Sequence, residues 1–269
     1  MALALIDADS IYFRAAYSNS DEVEIRKVID FTVNECMAYA FSEPHECRVA
    51  LKGRGNYRKD LYTPYKASRP ALTDEVKKSL NYGHNYMKEK WGGVEADGME
   101  ADDLVCIWAY EAREMELDFL ICGIDKDLKQ IPGHHYNYTK KTHEFVDDDK
   151  ANMNLMLQCL TGDTSDNIPG IKGIGPKKAE KILAGVPMGQ RWEKVVAAWK
   201  EHNAGDPWLS RKLLTMLTTW DELEEIQKNG GDESLLLNKT SECEQDVEPK
   251  GEDNVQVSGL SGVSEQHSG

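Results

Sequence analysis

Acidic residues recur in four short segments of the chain, and their type and spacing suit a site that holds divalent metal ions. The acids are Asp7 and Asp9 in IDADS, Glu100, Asp102 and Asp103 in MEADDL, Asp125 and Asp127 in GIDKDL, and Asp163 and Asp166 in GDTSDN. Carboxylate oxygens are the ligands that Mg²⁺ and Mn²⁺ prefer. Two such ions about 4 Å apart activate water and stabilise the leaving oxygen of a phosphodiester. The segments therefore predict phosphodiester chemistry if the fold brings them together.

Each segment taken alone also has an ordinary structural explanation. Acids in the first turn of a helix interact favourably with the helix dipole, which would account for MEADDL. Asp125 or Asp127 could cap the next helix, GDTSDN could be a turn, and capping explains Asp9 at least as well as metal binding does. The joint occurrence favours the metal site, because four unrelated coincidences would otherwise have to fall at one edge of the fold.

Apolar runs predict the elements that position these acids. Residues 3–6 and 119–122 indicate buried strands that end directly at acids, and residues 48–51 indicate another strand. Helical spacing predicts helices over 22–41, 72–91 and 100–114 and from 152 to about 220, with a hairpin over 135–146. Strands alternating with helices predict a parallel α/β sheet with right-handed connections. In such sheets the ligand site lies beyond the carboxyl ends of the strands.

The composition is that of a globular protein, with 40% hydrophobic and 29% charged residues in a chain of 269. No apolar run reaches the 18 residues that a membrane span requires. Acids interrupt the apolar start MALALIDADS, unlike a signal peptide, so we expect a cytoplasmic location and no membrane partner. The six cysteines are scattered without a CxxC pair, and we expect reduced core residues.

The net charge of −15 does not by itself exclude a nucleic-acid partner, because the charge is unevenly distributed. Beyond Gly230 there are nine acids and two lysines, so this tail contributes −7 and residues 1–230 contribute −8. Part of the remaining excess lies in the four acidic segments, where bound cations would neutralise it. The tail, 229–269, is rich in Gly, Ser and acids, and we expect it to be disordered.

A glycine-rich segment follows the last pair of acids. Gly170, Gly173 and Gly175 permit a tight hairpin whose backbone amides can approach phosphates, and Pro176 suits the first turn of a helix. Three lysines add positive charge there, namely Lys172, Lys177 and Lys178. An ordinary Gly/Pro connection between helices is the alternative explanation.

These motifs together resemble the 5′-nuclease family of bacterial polymerase I nuclease domains and stand-alone phage exonucleases. The most specific stretch is GDTSDNIPGIKGIGPKKAEKIL, which resembles the helix–hairpin–helix of that family. The segments IDADSIYFRAAY, NYRKDLYTPYKASRP, MEADDL and GIDKDL occur in the family's order, and the resemblance covers about residues 1–220. It implies a stand-alone 5′-3′ exonuclease or flap endonuclease, of phage type, that cuts DNA and leaves 5′-phosphates.

The resemblance also implies an architecture. We expect a PIN/5′-nuclease-like parallel twisted sheet flanked by helices, with a helical arch and a C-terminal helix–hairpin–helix subdomain. The catalytic core would span residues 1–160 and include the arch at about 56–98. The helical DNA-binding region would span 161–228, and the acidic tail 229–269.

The site residues follow from the same resemblance. Asp7, Glu100 and Asp102 would hold one Mg²⁺ or Mn²⁺ ion. The acids that hold or orient the second ion would be Asp103, Asp125, Asp127, Asp163 and Asp166. The residues expected to be catalytic are Asp7, Asp125, Lys66 and Arg69, the last two contacting the scissile phosphate.

Further residues are expected to contact the nucleic acid. Tyr65 would stack on a base, and Arg14 and Arg58 would contact phosphates. The hairpin would grip the duplex and hold a monovalent cation such as K⁺, through Lys172, Gly173, Gly175, Lys177 and Lys178. The expected partners are DNA with 5′ flaps or free 5′ ends and RNA in RNA–DNA hybrids. The protein would act as a monomer, in the host cytoplasm if it is phage-encoded.

One departure from the family pattern concerns the second strand, which usually ends in an aspartate. Aligning YRKDLYTPYKASRP with that pattern places Leu51, next to Lys52, at the position of the acid. One metal site would therefore lack a ligand, and the expected consequence is weaker metal binding or lower activity. A DNA-binding protein without catalysis thus remains an alternative.

Two enzymatic alternatives share parts of the pattern. A haloacid-dehalogenase-like phosphatase also has an Asp-x-Asp at a strand end and a Gly-Asp pair, but it requires a strand before Asp163, where MNLMLQCL is helical. A PIN-type ribonuclease shares the acidic sheet edge but lacks the glycine hairpin. Hydrolysis of p-nitrophenyl phosphate would favour the first alternative, and a preference for single-stranded RNA over flap DNA would favour the second.

Overall fold

The computed structural model describes residues 2–18, 20–40 and 47–228. The elements in chain order are β1 (Leu3–Asp7), α1 (Asp9–Ser18), α2 (Glu22–Ala40), β2 (Cys47–Lys52), α3 (Tyr57–Leu61), α4 (Asp74–Trp91), β3 (Val94–Ala96), α5 (Ala101–Glu114), β4 (Phe119–Cys122), β5 (Gly133–Asn137), β6 (Thr142–Val146), α6 (Asp148–Thr161), α7 (Pro176–Leu183), α8 (Arg191–Glu201), α9 (Pro207–Leu214) and α10 (Trp220–Lys228). Short 3₁₀ turns lie at Asp127–Gln130 and Met188–Gln190. The tail predicted over 229–269 lies outside the described residues.

The strands form one sheet in the order β3-β2-β1-β4-β5-β6. Strands β1 to β5 pair in parallel, and β6 pairs with β5 in the antiparallel direction. The register places Asp7 beside Ala50 of β2 and Ile6 beside Cys122 of β4. The parallel α/β sheet predicted from the sequence is confirmed, and the carboxyl ends of β1, β2 and β4 meet at one edge.

The two faces of the sheet are covered by different helices. On one face Ile6 and Leu51 pack in a cluster with Ile29 of α2 and Met87 of α4. On the other face α5 packs against β1 and β2 with its apolar side buried. Because side chains alternate between the faces of a strand, Asp7 points to the α5 side, opposite to Ile6.

The chain after β6 is helical and builds a second apolar cluster around Met156 of α6 and Trp199 of α8. Tyr65, from the segment that precedes α4, is buried in this cluster. Residues on both sides of the predicted boundary at 160/161 belong to one compact unit. The helical region is therefore packed onto the α/β core within this unit, and the domain boundary at 160/161 stays a prediction.

Local signals set the ends of the helices near the site. The Thr73 side chain accepts from the backbone of Val76 at the start of α4, and Gly92 ends that helix with a left-handed φ of 65°. Glu100 and Asp103 form a capping box at the start of α5. The helices predicted over 72–91 and 100–114 are therefore observed within two residues of their predicted starts.

Two other expectations concern the cysteines and the length of the apolar helices. Cys36, Cys106, Cys122 and Cys159 are buried free thiols, as expected of reduced core cysteines, and Cys47 is half-buried. Cys243 lies outside the described residues. Within the described ranges, no helix is both long and apolar enough to cross a membrane.

Candidate active site

The ends of β1 and β4 bring the first and third acidic segments together. Asp7 is the last residue of β1 and is only 2% exposed. Gly123 follows β4, and a Cβ there would lie 2.2 Å from Leu128 Cδ1 and 3.4 Å from Asp7 Cβ. Glycine at this position therefore lets the chain that carries Asp125 pass close to Asp7.

Asp7 lies in a setting that disfavours its charge. The Ser10 hydroxyl lies 3.1 Å from Asp7 Oδ2, and it also contacts the Tyr138 hydroxyl. Burial raises the pKa of Asp7 to about 8, and the charges of Asp9 and Asp125 add to this rise. Such a carboxylate gains from any cation that can reach it.

Adjacent acids of MEADDL have different environments. Burial raises the pKa of Asp102 well above its usual value, and the nearby charges of Asp7, Asp125 and Glu100 raise it further. Asp102 therefore belongs to the group of acids at the strand ends. Burial would also raise the pKa of Glu100, but the nearby charges of Lys66 and Arg58 lower it below its usual value.

Asp103 does not face this group, and its predicted role as a metal ligand is wrong. Its side chain is fully buried. It accepts hydrogen bonds from the Arg58 guanidinium at 2.5 and 2.8 Å, from the Glu100 amide at 3.0 Å and from the Leu217 amide at 3.0 Å. These four donors satisfy both carboxylate oxygens, so Asp103 is a structural residue.

The same contacts show that the predicted phosphate contact of Arg58 is wrong. Its side chain is only 3% exposed, and it donates to the carbonyl oxygens of Leu213 and Thr215 as well as to Asp103. A residue held by four such bonds inside the protein cannot reach a nucleic acid. The basic sequence around it gave no sign of this burial.

The third acidic segment continues from β4 into the Asp127–Gln130 turn. Asp125 is exposed, and its carboxylate accepts a 2.9 Å hydrogen bond from the Asp127 amide. Burial raises the pKa of Asp127 to about 6, and the charge of Asp125 contributes. The Gln158 side-chain amide of α6 donates to Asp127 Oδ1.

The fourth segment lies in the loop between α6 and α7. Asp163 and Ile168 exchange backbone hydrogen bonds of 3.0 and 2.8 Å, and the Ser165 amide donates to Asp163 Oδ1 at 2.8 Å. The Lys126 ammonium lies 2.6 Å from Asp163 Oδ2. Since α6 runs up to Thr161, no strand precedes Asp163, which removes the basis of the phosphatase alternative.

Lys66 and Arg69 reach the acids across this loop. The Lys66 ammonium contacts Glu100 Oε1 and lies 3.5 Å from Asp166 Oδ2, while Arg69 donates to Asp166 Oδ1 at 2.8 Å. The Lys66 amide donates to the Asp166 carbonyl oxygen at 2.9 Å, with Lys66 at a left-handed φ of 55°. Both basic residues therefore lie at the acids, in a series of turns, and their contact with the scissile phosphate stays a prediction.

Tyr65 does not lie on a surface that a base could reach, so its predicted stacking is wrong in this structure. It is 3% exposed and packs in the apolar cluster around Met156 and Trp199. Its hydroxyl donates to Glu100 Oε2 at 2.8 Å. The residue therefore connects the segment before α4 to the helical region and orients Glu100.

The structure shows the surroundings of Leu51, the position at which the sequence predicts a missing acid. Leu51 points into the core, where a Cβ on Gly93 would lie 2.4 Å from its Cδ1. The neighbour of Asp7 in the sheet register is Ala50, which is fully buried. Side chains alternate between the faces of a strand, so Ala50 lies on the acidic face and Leu51 on the opposite one, while the alignment of the family aspartate with Leu51 stays a prediction.

Asp9 lies at the start of α1, and its carboxylate accepts a hydrogen bond from the backbone of β2. Its Oδ1 accepts from the Lys52 amide at 2.8 Å and from the Tyr12 hydroxyl at 3.0 Å. These bonds connect α1 to the end of β2, which agrees with the structural explanation of this acid. Nearby on α1, the exposed Arg14 donates to Thr139 Oγ1 at 3.0 Å, and its phosphate contact stays a prediction.

The glycine-rich connection spans Gly162 to Gly175 between α6 and α7. A Cβ on Gly170 would lie 2.2 Å from the carbonyl carbon of Thr161, so this glycine is required by a close backbone approach. Gly173 has a φ of 83° and open space around it. The exposed residues of the connection and of the first turn of α7 include Lys172, Gly173, Gly175, Lys177 and Lys178. Their DNA-binding role stays a prediction.

The donor set fits divalent ions in its chemistry. The charge of Asp125 raises the pKa values of Asp7, Asp102 and Asp127, and the charge of Asp7 also raises that of Asp102, so negative charge accumulates in this group of carboxylates. Lysine and arginine side chains supply part of that charge, at Glu100, Asp163 and Asp166. In the part of the chain that the structure describes, no three Asp, Glu, His or Cys side chains converge on one point as a finished metal cage. The division of the acids between two ions stays a prediction.

The sequence interpretation missed two residues at the site. Lys126 lies between two acids in GIDKDL, and its charge was a signal that could have been used. Gln158 lies in a helix whose local sequence is mostly apolar, and nothing in the sequence connects it to Asp127. Only the packing of α6 against the turn at 127–130 brings them together.

The fold and the site define an α/β protein with acids gathered at the carboxyl edge of a parallel sheet. The family model described as "5′-3′ exonuclease, N-terminal resolvase-like domain" matches residues 2–155, which is more than half of the chain. The chain therefore belongs to the 5′-3′ exonuclease family.

Individual relatives agree with this assignment. The DNA polymerase I of Caldicellulosiruptor bescii is 30% identical over 206 residues, a match that covers 68% of this chain and 24% of that protein. This chain thus spans about a quarter of the length of that relative. The 5′-3′ exonuclease of Mycoplasma pneumoniae is 29% identical over 204 residues, covering 66% of this chain and 70% of the relative.

A solved structure confirms the fold. The flap endonuclease of bacteriophage T5, in a pseudo-enzyme–product complex with DNA and metal ions, superimposes with a TM-score of 0.61. The match covers 86% of this chain and 98% of the phage protein, at 17% sequence identity. At this identity the likeness shows the mixed α/β fold with its central sheet flanked by helices.

Proposed function

We propose that the chain is a divalent-metal-dependent 5′ nuclease that hydrolyses DNA phosphodiesters and leaves 5′-phosphate products. The observation that carries the proposal is the meeting of Asp7, Asp102 and Asp125 at the carboxyl edge of the sheet, where the charge of Asp125 raises the pKa values of Asp7 and Asp102. Lys66 contacts Glu100 and Arg69 contacts Asp166, two further acids of the candidate site. Family membership supports the reaction class.

Seven of the eight predicted metal ligands remain candidates after Asp103 is removed. Asp7, Glu100 and Asp102 would hold one Mg²⁺ or Mn²⁺ ion. The residues proposed for the second ion are Asp125, Asp127, Asp163 and Asp166. Bound ions supply an activated water and stabilise the leaving oxygen in such sites. Support for divalent ions comes from the T5 relative, which was solved with metal ions.

The side chains of Lys66 and Arg69 would bind the scissile phosphate. Lys66 and Arg69 now contact Glu100 and Asp166, and a phosphate that enters the site offers them a competing anionic partner. Their charges would then stabilise the negative charge that develops on the phosphate oxygens. Removal of either side chain should therefore lower the rate of cleavage.

The proposed substrates are DNA molecules with 5′ flaps or free 5′ ends, and RNA strands of RNA–DNA hybrids are a further class. The exposed lysines of the glycine-rich connection would grip the duplex, and the same connection would hold a K⁺ ion. The protein would act as a monomer in the cytoplasm. The DNA in the solved T5 complex and the name of the Mycoplasma relative support the choice of DNA and of 5′-3′ polarity.

Cleavage of a 5′-labelled flap DNA by the purified protein tests the proposal, with Mg²⁺, Mn²⁺ and EDTA compared side by side. We expect short 5′ fragments with either ion and none with EDTA. Asp125→Asn should abolish cleavage and leave flap binding unchanged, because the substitution removes a ligand charge and no basic contact. Cleavage in EDTA, or an active Asp125→Asn protein, would contradict the proposal.

A second candidate function is a flap-DNA-binding protein without catalysis, and Ala50 is the observation that favours it. The residue beside Asp7 in the neighbouring strand is Ala50, which offers a methyl group and no carboxylate, and the departure from the family pattern predicted at Leu51 falls in the same strand. Tight flap binding without cleavage in either Mg²⁺ or Mn²⁺ would decide for this candidate.

A further inference from the structure

The segment Leu213–Leu217, at the end of α9, is connected by hydrogen bonds to two of the acidic segments of the site. It contains no acid and lies beyond the residues 2–155 that the family model matches. The connections start from its backbone, so they depend on where α9 ends and not on which side chains the segment carries.

The first connection runs to Asp127 through two glutamines. The Gln130 side-chain amide donates to the Leu214 carbonyl oxygen at 3.1 Å and to Gln158 Oε1 at 2.6 Å. Since both partners of Gln130 are acceptors, its nitrogen must face them, and Gln158 must turn its oxygen to Gln130. The Gln158 nitrogen then points to Asp127, to which it donates.

The second connection runs to Glu100 through the buried ion pair. Arg58 donates to the carbonyl oxygens of Leu213 and Thr215, at 2.9 Å each, and to both oxygens of Asp103. Asp103 accepts from the Leu217 amide and from the Glu100 amide, each at 3.0 Å. The backbone of Glu100 is therefore tied to the end of α9 by a continuous set of bonds.

We infer that the segment Leu213–Leu217 positions one candidate ligand of each metal ion. It orients Asp127 through Gln130 and Gln158. It orients Glu100 through Arg58 and Asp103. The inference rests on the proposed function, in which both acids bind metal. Mutually repelling carboxylates turn apart unless other groups hold them, and partners that orient a ligand strengthen metal binding. Gln158 is thus a positioning residue for Asp127.

The Gln158→Leu variant tests the first connection, with Asn154→Leu as the matched control. Asn154 lies one turn earlier on α6 and donates to the Lys129 carbonyl oxygen of the same turn, but it contacts no acid. Binding of Mn²⁺ is measured without DNA, by electron paramagnetic resonance, beside kcat and KM for flap cleavage. We expect Gln158→Leu to weaken Mn²⁺ binding by about tenfold. Asn154→Leu should leave it unchanged.

The kinetics separate positioning from a general loss of structure. At limiting Mg²⁺ the Gln158→Leu protein should lose kcat and recover it at high Mg²⁺, with KM for DNA unchanged. Gln130→Leu should weaken Mn²⁺ binding in the same direction by a smaller factor. The double variant should be no weaker than Gln158→Leu alone, because both residues act through one connection.

Two results would overturn the inference. Equal Mn²⁺ affinities of the Gln158→Leu and Asn154→Leu proteins would show that Gln158 does not position Asp127. Additive effects of the two glutamine variants would show that they do not form one connection. A wild-type protein that cleaves nothing would defeat the proposed nuclease, while the Mn²⁺ titrations would still decide the positioning.

Discussion

Two regions around α5 use the same type of side chain in opposite ways. At the strand ends Asp7, Asp102 and Asp125 lie together, and the charge of Asp125 raises the pKa values of Asp7 and Asp102. On the other side of the same helix turn, Asp103 is fully buried and accepts four hydrogen bonds, two of them from the Arg58 guanidinium. The first region needs positive charge from outside the protein, and the second is already neutralised. Adjacent acids in one motif can therefore have unrelated functions, and the partner of each acid decides which.

The largest expected effect on stability concerns the buried ion pair between Arg58 and Asp103. Asp103→Ala leaves the buried Arg58 charge without a partner, so we expect the free energy of unfolding to fall by about 3–5 kcal/mol. Urea unfolding in EDTA measures the change. The control is Arg113→Ala, which breaks the half-exposed pair with Asp148 and should cost about 0–1 kcal/mol. Equal losses in the two variants would show that the buried pair contributes no more to the free energy of unfolding than the exposed pair.

Adding an acid beside Asp7 would sharpen the comparison. Ala50→Asp places a further buried carboxylate on the acidic face, and we expect it to lower stability in EDTA by about 2 kcal/mol. Mn²⁺ should restore the loss and bind more tightly than to the wild type. Leu51→Asp, on the opposite face, should destabilise the core without any gain in Mn²⁺ binding. Tighter Mn²⁺ binding to the Leu51→Asp protein would contradict the assignment of Ala50.

Removing an acid from the same region should raise the stability of the metal-free protein instead of lowering it. Asp7→Asn relieves repulsion, and we expect the metal-free protein to be more stable by about 1 kcal/mol near pH 8. The folded-state pKa of Asp7 is raised to about 8, so the folded protein holds the Asp7 proton more tightly than the unfolded chain does. The resulting contribution to the free energy of unfolding is fully present below the unfolded pKa and is lost as pH rises toward 8. The gain from Asp7→Asn should therefore grow between pH 4 and pH 8. Asp118→Asn, an exposed acid just before β4, should show no such trend in parallel thermal unfolding.

The smallest effect concerns the link between the two regions. Tyr65→Phe removes the hydrogen bond to Glu100 and keeps the ring in its apolar cluster, so stability should fall by about 1 kcal/mol. Flap binding, measured by fluorescence anisotropy, should stay at the wild-type level because Tyr65 is buried. Weaker flap binding at unchanged stability would instead support the stacking role that the sequence suggested.

Much of the fold was predictable because its signals are local. The apolar runs at β1 and β4, each ending at acids, and the helical spacing of α4 and α5 depend only on neighbouring residues. The meeting of Asp7 and Asp125 at one edge of the sheet was predictable for a related reason. Parallel strands present their carboxyl ends at one edge, so the positions of these residues follow from the topology.

The errors share one cause, which is that the sequence does not show what a side chain meets. Arg58 and Tyr65 lie in a basic, aromatic stretch typical of a nucleic-acid surface, yet both are buried against the helical region. Leu51 and Ala50 differ by one position, and only the strand register shows which of them lies beside Asp7. Gln158 had no local signal, because its partner Asp127 is 31 residues away.

The sequence by itself therefore determined the order of the elements, the parallel sheet and the edge at which the acids gather. Those features follow from apolar periodicity and from charge placed at strand ends, which are properties of short segments. Tertiary structure alone decided which acids stay unpaired and which are neutralised, because that depends on contacts between distant residues such as Arg58 and Asp103. The difference between Asp102 and Asp103 is thus a consequence of packing, since burial against a fixed guanidinium can satisfy only the side chain that faces it.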